Sequence, residues 1–552
     1  MAILPPTNGR SSEAPSTTEP THTTEAKRYF RATRNLLAMT KTIVVGLDGA
    51  SWDLLDPWID DGKLPTIERL REDGSWATNR SCHPPVTFPN WHVYASGKNP
   101  GKLGVFWFER VDLENGSIDV MEGADFDTAA VWDYLNDAEY STGVVNMPST
   151  YPPRPIDGVM IAGGPDAAEG EYRSIESGFT EPPELAEELR ERYDYDVHPD
   201  PLLSSNAETG AEVEEILRLL DIRFDVAIDL LQERDHEFVH LTLFYLNVVH
   251  HFFWDEEPSL RAWQLVDDRL AEIDAMEDVN LVVTSDHGSM ETEAEFYINE
   301  WLAENGYLTK DRSADYYFQR LGLTRENVLS VAKRAGAVDL LAKIVPERIQ
   351  RMVPQEAGVK RGRKLEAIDL EETAAVASSQ GPIYLNPDVA DGETRDQLIE
   401  DLRSVTDADG EPYFPAVYRG EDVYSGEHVD DGPDVVVEQR PGVHVNDGLG
   451  GGEVVTEPDR WAAENTMTGI FLAKGPDFEP QGHLPEIDMV DVAPTLLATY
   501  GLPIPTDVDG EVLPIFEEQR DPGTREPIEL GDDRGSAEDE VEDRLKQLGY
   551  ME

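Results

Sequence analysis

Thr42-Ile43-Val44-Val45-Gly46-Leu47-Asp48-Gly49 is the run of sequence from which the fold is readable. Its unbroken β-branched, apolar character is that of a strand buried on both faces, as in a parallel sheet covered by helices. The run stops at Asp48-Gly49. A carboxylate at the carboxyl end of such a strand stands where open α/β sheets hold ligands. Taken alone, Asp48 is equally well a plain turn residue. Further on comes Pro84-Pro85-Val86-Thr87-Phe88-Pro89-Asn90-Trp91. Prolines hold the Thr87 hydroxyl on a turn, and Pro89 suits the first turn of a following helix. A hydroxyl at a helix N-terminus faces unpaired N–H groups and the positive end of the dipole, a natural seat for phosphate. A second buried strand, Leu281-Val282-Val283-Thr284-Ser285, ends in Asp286-His287-Gly288. Asp and His at a strand end offer an oxygen and a nitrogen ligand, which suits zinc or a similar divalent ion.

The 552 residues include 111 Asp and Glu against 46 Lys and Arg, for a net charge of −65. The basic residues are mostly Arg. An acidic, Lys-poor surface fits adaptation to high salt, where screening relieves self-repulsion, and a haloarchaeal source is the expectation. Apolar content of 39% and strong strand patterns exclude an acidic disordered chain. The charge also speaks against general nucleic-acid binding. A single cysteine, Cys82, excludes an internal disulfide framework and fits a reducing compartment. No apolar run is long enough to span a bilayer, and no signal-peptide h-region is present. The expectation is a soluble, cytoplasmic protein.

Residues 1–38 are Ser-, Thr-, Pro- and Glu-rich and read as a disordered leader, with Met39 as an alternative start. Residues 39–291 read as the first part of a catalytic core. Within it, helical spacing is expected over Pro65–Asp73, Pro182–Tyr193, Ala211–Glu233 and Leu260–Ile273. Strands are expected at Val144–Asn146, Val159–Ile161 and Phe238–Tyr245, and a turn at Gly97–Gly101. Residues 292–367 read as an inserted, mainly helical cap, 368–515 as the second part of the core, and 516–552 as an acidic tail ending in a short amphipathic helix. Ile383–Asn386 and Val435–Val437 are strand-like, and Asp491 is expected to cap a helix through Tyr500.

Asp48, Thr87, Asp286 and His287 together resemble the alkaline phosphatase superfamily. The chain is most similar to its type I phosphodiesterase/nucleotide pyrophosphatase branch, over about Lys41 to Leu513. Asn146-Met147-Pro148, Gly469-Ile470-Phe471-Leu472-Ala473-Lys474-Gly475-Pro476 and Asp491-Val492-Ala493-Pro494-Thr495-Leu496-Leu497 add to the likeness by their order. The resemblance implies a three-layer α/β core with a mixed, mostly parallel sheet flanked by helices. It also implies that Asp48, Asp286 and His287 hold a divalent ion, zinc being the expected one. That ion would activate Thr87 as a nucleophile and yield a phosphothreonine intermediate. In the family a second ion lies about 3.5–4 Å from the first. Its ligands correspond here to Asn247, His251 and Asn465, so an Asp and a His are replaced by amides. An amide oxygen is a poor zinc ligand, and the resemblance implies one intact metal site beside a weakened one. His250, His92 and His444 are candidate substitutes, each equally readable as an ordinary hydrogen-bonded histidine.

Two further departures concern substrate. Phe108 stands where nucleotide pyrophosphatases carry a phosphate-binding Asn, and Leu103 where a His is common. The frame Thr87-x-Pro89-x-Trp91 lacks the convertible Cys or Ser and the Arg of a formylglycine sulfatase. The expected activity is metal-dependent hydrolysis of phosphoric esters, foremost a phosphodiesterase. The alternatives are a phosphomonoesterase or phosphotransferase on the same scaffold, or a catalytically silent binding protein. From Thr324 to Lys364 ten basic residues face four acidic ones, a local net of +6. This stretch is expected to steer an anionic substrate towards Thr87, with contact to an anionic lipid surface as the less favoured role.

Overall fold

The opening run forms strand β1, Lys41–Gly46, with Ile43, Val44 and Val45 wholly buried. The computed structural model describes residues 40–121, 123–126, 128–163, 178–200, 203, 210–310, 365–449, 451–458 and 461–530. The expected leader, the basic stretch of the insert and the terminal amphipathic helix lie outside the described residues.

The central sheet contains β1, β2 (Ser75–Arg80), β3 (Thr142–Val145), β4 (Gly158–Ile161), β5 (Thr180–Glu181), β6 (Phe238–Thr242) and β7 (Val279–Thr284). Strand β8 (Gly288–Glu291) and strand β9 (Ala463–Thr466) pair apart from it, and β10 (Thr468–Lys474), β11 (Gly482–His483) and β12 (Ile487–Asp488) complete it. Its order is β11-β2-β10-β7-β1-β6-β3-β4-β5, with β12 beside β2. Strand β1 runs parallel to both β6 and β7, and β3 runs parallel to β6 and β4. Strand β10 is antiparallel to β2 and β7. The sheet is therefore mixed and mostly parallel.

Helices flank it in two packed groups. Helices α1 (Trp52–Asp60) and α2 (Pro65–Asp73) belong with α5 (Ala211–Gln232), α6 (Phe244–Phe253) and α7 (Glu257–Asp274). The other group is α3 (Thr87–Ser96), α4 (Val131–Asp137) and α8 (Val492–Thr499). The strands at Pro382–Leu385 and Val435–Glu438 pair with each other in a separate four-stranded antiparallel sheet, not with the central one. That sheet has its own apolar cluster, which includes Phe296, Trp301, Leu398 and Val445. Among the described residues, no helix is long and apolar enough to cross a membrane.

Two local expectations are corrected. The strand expected over Phe238–Tyr245 ends at Thr242, and a helix begins at Phe244. Its parallel neighbour β1 ends at Gly46, whose carbonyl takes the Leu243 N–H at 2.8 Å, so the ladder has no further partner. The spacing of Asn247 and His251 is thus one turn of helix. Asp491 occupies the N-cap of α8 without capping it by side chain. Its carboxylate instead accepts the N–H groups of Asp488 and Glu511.

Gly46 ends β1 where Trp91 of α3 crosses it. A Cβ there would lie 2.4 Å from Trp91 Cη2, and Trp91 has no exposed surface into which to move. Gly46→Ala is expected to cost about 1–3 kcal/mol by overpacking. A lower denaturation midpoint at unchanged m-value, measured at fixed salt, checks this.

Candidate active site

The register of the parallel strands builds the site. Gly46 lies opposite Thr242 on one side and Thr284 on the other. The chain leaves β1 and β7 at the same level, and Asp48 and Asp286 emerge side by side at the carboxyl edge. Thr87 enters from the loop after β2 as the first residue of α3. Its N-cap is Val86, which makes no side-chain cap; Pro89 has no N–H and the Asn90 N–H bonds the Val86 carbonyl at 3.4 Å, so the helix start offers the N–H groups of Thr87 and Phe88.

Asn90 ties that loop together. Its Nδ2 donates to Ser81 Oγ at 2.7 Å, to the Pro84 carbonyl at 3.1 Å and to the Cys82 carbonyl at 3.4 Å. Ser81 Oγ in turn donates to the Asp286 carbonyl at 2.6 Å. Asn90 and Ser81 thereby link the Thr87 segment to the strand end that bears Asp286. Sequence reasoning assigned neither a role. The available signal was the spacing of Asn90, one helical turn after Thr87.

Thr87 Oγ1 lies 3.3 Å from Asp48 Oδ1 and 3.3 Å from His287 Nε2. His287 Nδ1 lies 2.8 Å from the Gly288 carbonyl, which can only accept, so Nδ1 carries the proton and Nε2 turns a lone pair to the cluster. Trp91 Nε1–H donates to Asp48 Oδ2 at 2.9 Å, and Gly49 N–H to Asp286 Oδ1 at 3.3 Å. Asp286 Oδ2 has no hydrogen-bond donor. Asp48, Thr87, Asp286 and His287 are all fully buried. Burial and then the neighbouring Asp286 charge push the Asp48 carboxyl well above its ordinary range. Burial pushes Asp286 up to about 8 and pushes His287 down. Ligand atoms of Asp48, Asp286 and His287 lie within 4.8 Å of one another. Two buried carboxylates and an imidazole lone pair, with one carboxylate oxygen left without a donor, form a donor set that fits a divalent cation.

The other expected metal residues form a second group beside the first. Asn247 and His251 stand one turn apart on α6. Asn465 lies on β9, opposite Ser289 of β8. Asn247 Nδ2 reaches Asn465 Oδ1 at 3.5 Å. Asn247 also packs on the turn after Asp48, where a Cβ on Gly49 would lie 2.2 Å from Asn247 Oδ1. His251 Nδ1 is 2.8 Å from the Ala463 carbonyl, and its ring stacks on Trp461 at 4.1 Å. The neighbouring Glu464 turns away, accepting from Gln380, Gln439 and His444. Burial pushes Glu464 up, but the His444 charge and these hydrogen bonds hold it down at about 2.

The candidate substitutes are engaged elsewhere. His444 pairs with Glu464, His250 Nε2 accepts the Trp263 indole N–H at 2.9 Å, and His92 Nε2 meets the Ser149 carbonyl at 2.9 Å. Phe108 is buried with its ring 5.2 Å from that of Phe88.

The family model of type I phosphodiesterases/nucleotide pyrophosphatases matches residues 42–462. Among solved structures, the chain is similar to a phosphonoacetate hydrolase from Sinorhizobium meliloti 1021 in complex with phosphonoformate. They share 15% identity and a TM-score of 0.51 over 84% of this chain and 96% of that one. It also matches the murine ectonucleotide pyrophosphatase/phosphodiesterase 5 at 15% identity and a TM-score of 0.45, over 84% of this chain and 96% of that one. No curated protein matches the chain by sequence.

The buried carboxylates make stability expected to depend on pH and on a divalent ion. With no ion bound, the raised Asp286 carboxyl, about 8 when folded, contributes stability that is complete below its unfolded value near 4 and is lost as pH rises through its folded value. Chelator-treated protein is expected to lose stability between about pH 4 and pH 8, and a divalent ion to restore it. Asp286→Asn should flatten this slope and abolish the effect of chelator. Thermal midpoints across that range at constant salt, with and without chelator, decide the matter.

Proposed function

The chain belongs to the type I phosphodiesterase/nucleotide pyrophosphatase family, whose members are metal-dependent phosphoester hydrolases, and from this we propose a phosphodiesterase that works through a phosphothreonine at Thr87. The observation that carries the reading is the placement of Thr87 Oγ1 at 3.3 Å from both Asp48 and His287.

Asp48, Asp286 and His287 would hold the divalent ion, which supplies a Lewis acid that favours the threonine alkoxide at neutral pH. The single Thr87 hydroxyl hydrogen points to Asp48 Oδ1 at 3.3 Å, and once it is lost Oγ attacks phosphorus in line. The Oγ–P bond forms as the ester P–O bond breaks, and the leaving oxygen takes up the equivalent of the proton lost by Thr87 and departs as the alcohol. The N–H groups of Thr87 and Phe88 at the start of α3 would serve the non-bridging oxygens. Water then cleaves the Oγ–P bond, releasing a phosphomonoester and restoring the hydroxyl. The sheltered position of all four residues keeps water away from the first step.

Phe108 offers no polar group to a phosphate oxygen, so a nucleotide is not the favoured substrate. Amide oxygens of Asn247 and Asn465 support a single ion rather than a zinc pair. The net charge of −65 supports a high-salt working environment. A monoesterase or phosphotransferase uses the same groups, and the ratio of turnover on bis-p-nitrophenyl phosphate to that on p-nitrophenyl phosphate separates them.

Thr87→Ala is expected to abolish diester turnover, by about 10³-fold or more, with folding and metal content unchanged. Full activity in that variant would place the nucleophile elsewhere. Asn247→Asp with Asn465→His is expected to raise bound metal from one ion per chain towards two, as read by elemental analysis. Two tightly held ions in the unaltered protein would overturn the single-ion reading.

A further inference from the structure

Ser149 touches the helix of Thr87 twice. Its Oγ–H donates to the Phe88 carbonyl at 2.9 Å, and its own carbonyl accepts the His92 Nε2–H at 2.9 Å. Phe88 directly follows Thr87 and His92 lies one turn further along α3. One buried residue therefore spans the first two turns of that helix. Ser149 has φ +65°, a conformation that a non-glycine residue keeps only when its surroundings hold it.

Asn146, which begins the same loop, has φ +56° and no exposed surface. Its Nδ2 donates to the Ala162 carbonyl at 3.3 Å, and the Tyr195 hydroxyl donates to its Oδ1. Gly163 makes the approach feasible, since a Cβ there would lie 2.1 Å from Asn146 Nδ2. Behind Tyr195 stands Arg223, fully buried on α5. Its charge acts on the Tyr195 hydroxyl, and its guanidinium donates to the Val197 carbonyl at 2.8 Å and lies 5.1 Å from the centre of the Tyr245 ring. A nearby cation favours the orientation in which the Tyr195 hydroxyl turns its oxygen towards Arg223 and its proton towards Asn146.

We propose that the Asn146-Met147-Pro148-Ser149 loop is a positioning device for the nucleophile. Ser149 clamps the first turn of α3 and so fixes the direction of the Thr87 hydroxyl. Asn146 anchors the loop, and Tyr195 with Arg223 braces Asn146. The inference rests on Thr87 being the nucleophile. Val86 gives α3 no side-chain cap, so the outside grip of Ser149 and the Asn90 bonds orient this helix start. A misplacement of about 1 Å at a reacting atom costs on the order of 100-fold in rate.

Three variants separate positioning from plain stability. Ser149→Gly removes the hydroxyl and relieves the left-handed backbone. Ser149→Ala removes the hydroxyl and keeps the backbone constraint. His92→Phe keeps a ring to stack on Phe126, which lies 3.8 Å away, and removes the N–H. In all three, kcat on bis-p-nitrophenyl phosphate is expected to fall by about 10- to 100-fold while KM stays within about twofold and metal content is unchanged. Tyr195→Phe should show the same split to a smaller degree. Unfolding midpoints should rank Ser149→Gly at or above Ser149→Ala. Wild-type kcat in Ser149→Gly, with only the unfolding midpoint altered, would overturn the proposal. If instead Thr87→Ala retains full turnover, the functional reading fails, and amide exchange at Phe88 and Asn90 judges the clamp. Faster exchange in Ser149→Gly upholds it, and unchanged exchange rejects it.

Discussion

Two carboxylates are buried side by side at the ends of parallel strands, and much of the rest of the structure accommodates that fact. Asp48 and Asp286 cannot both be charged in a dry site without a cation, because the neighbouring charge and the burial act in the same direction on Asp48. What holds them together is the β1–β7 register, which sums many backbone hydrogen bonds and buried β-branched side chains. The cost of unpaired charge is concentrated at one point, and the stability that offsets it is spread over the sheet. Such an arrangement suits a divalent ion.

The same logic sets the surroundings. Several buried polar groups next to the cluster either orient a ligand or tie two chain segments. Trp91 fixes one oxygen of Asp48, Gly49 one of Asp286, and Gly288 the tautomer of His287. These contacts hold the candidate ligand atoms in place by protein groups alone, so a divalent ion would find little left to order. Gly46 and Gly49 lack side chains where Trp91 and Asn247 press against the backbone. Their role is close approach, and the left-handed φ of Gly49 adds a second requirement.

What was legible in the sequence was the part written in local pattern. β1 and β7 announce themselves by continuous apolar runs, and each runs straight into its acidic residue. Thr87 at a helix start follows from the prolines around it. Less legible was anything that depends on which segments meet. The strand at β6 stops at Thr242 because its neighbour stops, although the apolar run continues to Leu246 and beyond. Ser149, Tyr195 and Arg223 lie far apart in sequence and have no local pattern in common; only the folded chain brings Ser149 to the Thr87 helix and Tyr195 to Asn146 of the same loop. The strands of the smaller sheet were readable as strands, but their pairing apart from the central sheet was not.

The contrast between the two side-chain groups explains how the second can carry amides without loss of the fold. Asp48 and Asp286 have few donors for two buried carboxylates, so in the ionised form the pair suits a cation. Asn247 and Asn465 are neutral, and an amide offers both a donor and an acceptor, so the pair can partly satisfy itself, as the Asn247–Asn465 contact at 3.5 Å shows. An aspartate in place of Asn247, with no ion bound, would stand against the Asp48–Gly49 turn and add a third buried carboxylate to the two already there. The amide removes that repulsion whether or not an ion is bound. Glu464 shows the other solution available to a buried acid here: three donors and the His444 charge keep it ionised without a metal. The chain thus has two ways to neutralise buried carboxylates, by protein donors at Glu464 and, on the proposed reading, by a cation at Asp48 and Asp286. Only the second leaves a centre with coordination positions open to a substrate.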